Sequence, residues 1–128
     1  MKEATDAERP KPANAAEVDI SPLLGNWRNS NPATKWIKRF TLSKKEGVFT
    51  MHTYSAAEPF DWGEAEITAY MDNAKEIAFH AAYDLESVHS LLAVNTNKGL
   101  IIVEAFNRFK DDSGRSNSFC REFYFREQ

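Results

Sequence analysis

The sequence predicts an all-β domain, an eight-stranded antiparallel up-and-down β-barrel behind a flexible N-terminal tail. Three observations carry this. Short runs of alternating apolar and polar residues fill Leu23 to Phe125, separated by turn signals at regular spacing. They count to about eight, enough antiparallel strands to close a sheet on itself. The 128-residue chain holds nine Phe, four Tyr and three Trp, a large enough apolar payload for one core.

Residues 1–20 are polar, rich in Ala, Glu and Lys, and interrupted by Pro10 and Pro12; they read as the tail, leaving 21–128 as the barrel. Pro22 fixes the approach to the first strand, Gly25–Asn29. The second, Trp36–Ser43, turns back through Lys44-Lys45-Glu46-Gly47 into the third, Val48–Ser55. The loop Ala56–Phe60 leads to the fourth, Asp61–Tyr70, and Met71–Lys75 to the fifth, Glu76–Tyr83. Asp84–Glu86 precedes the sixth, Ser87–Asn95. Thr96-Asn97-Lys98-Gly99 is a hairpin turn into the seventh, Leu100–Phe109. The longer turn Lys110–Asn117 reaches the eighth, Ser118–Arg126. Helix competes over Ala65–Ala82, which is rich in Ala and Glu, but Ile67-Thr68-Ala69-Tyr70 and Ile77-Ala78-Phe79 favour strand.

In a meander successive connections alternate between ends. Ser30–Lys35, Ala56–Phe60, Asp84–Glu86 and Lys110–Asn117 therefore share one end, and the tight turns around Lys45, Asn73 and Asn97 the other. The first set is mostly longer, and is expected to form a mouth.

A net charge of −3, from 16 basic and 19 acidic residues, offers no basic face for nucleic acid. The longest apolar run, Leu100–Val103, is far too short to span a bilayer. The lone Cys120 excludes an internal disulfide, and no hydrophobic leader is visible; cytoplasmic residence is the expectation.

Leu24-Gly25-Asn26-Trp27-Arg28-Asn29 resembles the first strand of avidin-type barrels and, more loosely, the Gly-x-Trp strand of lipocalins and fatty-acid-binding proteins. The resemblance implies a calycin-like barrel whose Trp27 packs across the closed end, with a basic side chain from the last strand against it. Arg126 ends the eighth strand there, with Arg121 as the alternative. It also implies that Asn29 reaches a ligand. Gly47-Val48-Phe49-Thr50 looks like the avidin turn into the third strand, but the aromatic ligand wall of avidins has no clear counterpart. A closer likeness, over Leu23 to Phe125, is to small bacterial proteins of unassigned function. It rests on Gly25-Asn26-Trp27-Arg28-Asn29-Ser30-Asn31-Pro32, His52, Pro59-Phe60-Asp61-Trp62-Gly63 and Phe109-Lys110-Asp111-Asp112-Ser113-Gly114-Arg115-Ser116-Asn117.

Trp62, within Asp61-Trp62-Gly63-Glu64 at the mouth, suits a planar ligand or a loop-covering structural role. His52 and Tyr54 share one face of the third strand, and Glu64 and Glu66 one face of the fourth. A His52–Glu64 acid–base pair is the catalytic candidate. If Phe49 and Met51 point inward instead, His52 faces solvent or a partner. Arg39, Glu104 and Arg121 form either a polar floor or solvated outer charges. Arg115, in Ser113-Gly114-Arg115, either binds an anion or completes a turn. His52, His80 and His89 lack metal-ligand spacing, and no phosphate or nucleophile motif occurs, so no metal or cofactor is expected.

The expected function is binding of a small organic molecule at the mouth by Asn29, Trp62 and Arg115, with Tyr54 conditional on strand facing. The alternatives are an isomerase, cyclase or lyase using His52 or Glu64, and a filled structural barrel. Apolar residues on both faces of the seventh strand predict a homodimer or higher homo-oligomer.

Overall fold

The computed structural model describes residues 18–127, so the expected tail lies outside the described residues up to position 17. Ile20, assigned to the tail from composition, is fully buried in the core, and Val18 packs against it.

The described residues are all-β, a nearly closed antiparallel barrel. Nine strands follow in order: β1 (Gly25–Asn29), β2 (Ile37–Lys45), β3 (Val48–Ser55), β4 (Asp61–Glu66), β5 (Thr68–Met71), β6 (Ile77–Asp84), β7 (Val88–Asn97), β8 (Leu100–Phe109) and β9 (Ser118–Arg126). The order across the sheet is β4-β3-β2-β1-β9-β8-β7-β6-β5, so first and last strands pair and the meander wraps round. Among the described residues, no helix is long and apolar enough to cross a membrane.

The expected count of eight is corrected to nine because the fourth run divides at Ile67. Its first half pairs with β3 and its second half with β6. This one bent run closes the barrel by changing neighbours midway. Ile67, buried at the bend, still donates its N–H to the Phe49 carbonyl. Where β4 and β6 lack a ladder, Tyr83 fills the seam. Its hydroxyl lies 2.7 Å from the Met51 carbonyl and 2.9 Å from that of Gly63, donating to one at a time. Burial pushes this phenol up to about 12.

A bulge shapes the start of β4. Thr53 opposes Gly63 and Tyr54 opposes Asp61, leaving Trp62 as the extra residue. The bulge, with Gly63 at φ 77°, turns Asp61 outward and packs Trp62 against the core. The turns Glu46-Gly47 and Lys98-Gly99 join directly paired strand ends with both residues at positive φ, the twist that hairpins favour.

The base is closed by Trp27, which is 2% exposed. Its indole N–H donates to the Leu23 carbonyl at 2.9 Å, and Phe40 stacks 6.5 Å away. Arg126, the cross-strand neighbour of Trp27, lays its guanidinium 4.6 Å from the indole centroid. The same group donates to the carbonyls of Leu24 and Pro22, tying the Ser21–Leu23 turn under the barrel. Gly25 is required here: its φ is 125°, and a Cβ would meet Arg126 Nη1 at 3.2 Å.

Candidate functional site

At the opposite end the connections 30–36, 56–60, 85–87 and 110–117, most of them long, surround a cavity of about 400 Å³. Lys35 comes from the first loop, Ala57, Glu58 and Pro59 from the second, Leu85 and Ser87 from the third, and Arg115 from the fourth. Aromatic walls are supplied by Trp36, Trp62 and Phe109, and a polar interior by Ser55, Ser90, Asn107, Ser118, Cys120 and Glu122. Lys110 ties the fourth loop to the third through Asp84, at 2.6 Å.

The interior is hydrogen-bonded strand to strand. Ser90 donates to Asn107 Oδ1 at 2.6 Å, and the Asn107 amide reaches Ser118 at 3.4 Å and the Cys120 sulfur at 3.7 Å. Burial pushes the Cys120 thiol above its ordinary pKa. Glu122 Oε1 accepts from the Thr34 hydroxyl at 2.7 Å and from the Asn29 amide. Trp62 sets its indole edge-on to Tyr83, and its N–H is buried with no acceptor.

Of the residues chosen from sequence, Trp62 and Arg115 meet at this cavity. Arg115 is engaged within its own turn, with Asp111 at 2.7 Å and Ser113 at 2.9 Å, and its guanidinium stacks 4.0 Å from the Phe109 centroid. Asn29 does not line the cavity. It is buried beside it, with its amide committed to the Ile37 carbonyl and Glu122 and its oxygen to the Asn31 N–H. Trp27 and Arg126 lie at the far end.

His52, Tyr54 and Glu64 lie on the outer wall, because Met51, fully buried opposite Leu42, takes the inner face of β3. This corrects the picture of an enclosed acid–base pair. His52 and Glu64 are cross-strand partners, but their polar atoms diverge. His52 Nε2 lies 2.6 Å from Asp61, whereas Glu64 binds Lys45 at 2.7 Å. Tyr54 is sandwiched between the His52 ring at 4.6 Å and the Arg39 guanidinium at 3.9 Å. Arg39, Glu104 and Arg121 are outer-wall charges rather than a floor, with Arg121 and Glu104 3.8 Å apart. His80 and His89 are held separately by Tyr70 and Asp84.

The Gly63 N–H, and then His52, hold the Asp61 carboxyl below the usual carboxylate range. A depressed folded pKa contributes stability above the ordinary carboxylate pKa and loses it as pH falls through the folded value. Asp61→Asn should therefore melt below wild type at neutral pH, with the gap closing as pH falls through and below the ordinary carboxylate range. A gap constant with pH would show that charge at Asp61 is irrelevant to stability.

Glu122 is the functional candidate that the sequence reading missed, although a signal existed. With Arg126 anchored on Trp27, period-two alternation puts Tyr124, Glu122 and Cys120 on the same inner face. Ser90, Asn107 and Trp36 carried no comparable signal. Comparison with family models, with curated proteins and with solved structures finds no match to this chain.

Proposed function

We propose that this chain is a calycin-like barrel that binds a small organic molecule in the mouth cavity. The observation that carries the reading is the cavity itself. Its volume of about 400 Å³ falls in the range of small-molecule sites, and it joins aromatic walls to a few fixed polar groups. The Trp27–Arg126 closure of the other end leaves the mouth as the route inward and supports the likeness to the Gly-x-Trp barrels. The outer placement of His52 and Glu64 favours binding over enclosed acid–base chemistry.

Ser87 lines the cavity, so Ser87→Trp plugs it from a loop position. A ligand library read by thermal shift should raise the wild-type midpoint, with about 2.7 kcal/mol of stabilisation at a hundredfold excess over Kd. The plugged variant should fold and show no shift. Equal shifts in both, or none in either, would remove the cavity from the function.

We further propose that the outer face of β7–β9 holds a second copy of the chain. Leu91, Phe106 and Phe119 are exposed and lie directly opposite one another across the three strands. Sheets pack face to face through such rows. A two-fold axis across the strands through Phe106 sets Phe106 on itself and Arg108 over the partner's Glu104, twice by symmetry. An axis along the strands would oppose like charges. Native mass spectrometry should report a dimer, and Phe106→Glu should weaken it at least about 100-fold. A wild-type monomer at micromolar concentration would overturn this proposal.

A further inference from the structure

We propose that the mouth cavity selects an organic cation, an amine or amidine on an apolar or aromatic body, with Glu122 as its counter-ion. The inference rests on the cavity being a ligand site and assigns the chemical class that it takes.

Glu122 projects from the inner face of β9, half-buried, into the cavity. A carboxylate on the inner wall of a small barrel is costly to desolvate unless something answers its charge. The Asn29 amide and the Thr34 hydroxyl both bond to Oε1. They are neutral: they fix the carboxylate without neutralising it. Among the described residues, Oε2 accepts no hydrogen bond and no basic side chain lies within ion-pairing distance of Glu122.

The two basic residues that line the cavity do not fill this role. Arg115 is paired with Asp111 and stacked on Phe109. Lys35 makes no ion pair among the described residues, and the two lining carboxylates, Glu122 and Glu58, outnumber it. The arrangement is thus a held carboxylate whose second oxygen has no partner among the described residues, in a cavity also lined by Trp36, Trp62 and Phe109. Carboxylate and aromatic walls favour the same guest. The N–H groups of a cation form a charge-assisted hydrogen bond to the open oxygen, and the ring quadrupoles attract the same positive charge. An anionic ligand would be repelled by Glu122, and by Glu58 in the same lining, with Lys35 as the one lining cation outside an ion pair among the described residues.

The test uses phenethylamine, its N-acetyl derivative and phenylacetate as probes, titrated calorimetrically into the wild-type chain and into Glu122→Gln. The variant keeps the shape and an acceptor for Asn29 and Thr34 while removing the charge. Wild type should bind the amine roughly 10-fold or more tighter than the neutral amide, and the carboxylate weakest. Glu122→Gln should abolish that preference. The amine-against-amide comparison is made on wild type, so it holds even where the variant folds poorly. Binding of all three probes without preference, blocked by Ser87→Trp, would overturn the cation assignment and leave the cavity reading standing. Binding of none, or binding that Ser87→Trp leaves unchanged, would overturn both.

Discussion

Trp27→Ala is expected to lower stability by about 3–5 kcal/mol and the thermal midpoint by roughly 10–20 °C. The indole is the largest fully enclosed side chain in the barrel and occupies its base. Its removal leaves a void between Phe40 and the Arg126 guanidinium, and costs the Leu23 carbonyl its donor. The chain cannot easily collapse into that space, because the β1 register is fixed on both sides, by Phe40 and Arg126. Trp27→Phe separates the contributions. It keeps a ring under the guanidinium and loses the N–H donation, for about 1–2 kcal/mol plus a smaller void. Urea unfolding at unchanged slope would measure both losses. A loss below about 1 kcal/mol for the alanine variant would mean that the base closes without the indole.

Much of this barrel was legible because period-two alternation is a local property. The bounds of β1, β3, β8 and β9 coincide with the expected Gly25–Asn29, Val48–Ser55, Leu100–Phe109 and Ser118–Arg126. The bend at Ile67 was not legible. Strand residues on both sides of it alternate normally, and only the neighbour they bond to changes. Likewise, the Trp62 bulge depends on register against β3. Asp61-Trp62-Gly63 read as the entry to the fourth strand, with a structural turn as the alternative, because bulges and turns draw on the same residues.

The site was legible in its location more than in its chemistry. Strand counting put four mostly longer loops at one end, where the cavity lies. The facing of β3 stayed ambiguous because both alternating sets, Phe49 with Met51 and His52 with Tyr54, carry large rings. The β2 pairing decides it, with Met51 against buried Leu42 and His52 against Thr41. Asn29 was chosen for reaching a ligand directly. In the fold it acts one step away, holding the residue that faces the cavity.

That indirect role makes Asn29→Asp the second large expected effect. The substitution keeps the shape and the oxygen that accepts from Asn31, but replaces the donating nitrogen with an oxygen. This oxygen then faces the Ile37 carbonyl and the Glu122 carboxylate, both acceptors. Two carboxyls in contact cannot both ionise cheaply, so one of the pair created by the substitution has its folded pKa raised by the like charge beside it. A carboxyl whose folded pKa is raised carries no charge penalty below the ordinary carboxylate range and penalises the fold increasingly as pH rises from that range toward the folded value. Leaving a charged group against an acceptor in place of its donor costs on the order of 2–3 kcal/mol near neutrality, less what solvent screens through the open mouth. The midpoint of Asn29→Asp should therefore lie closest to wild type near pH 4 and drop away by roughly 10 °C toward pH 7. Asn29→Leu, which loses the same donor without adding charge, should be destabilised with little change across that span. Parallel pH profiles for the two variants would mean that Glu122 does not face Asn29. Diverging profiles would place a carboxylate at the cavity wall, where its charge is open to a ligand.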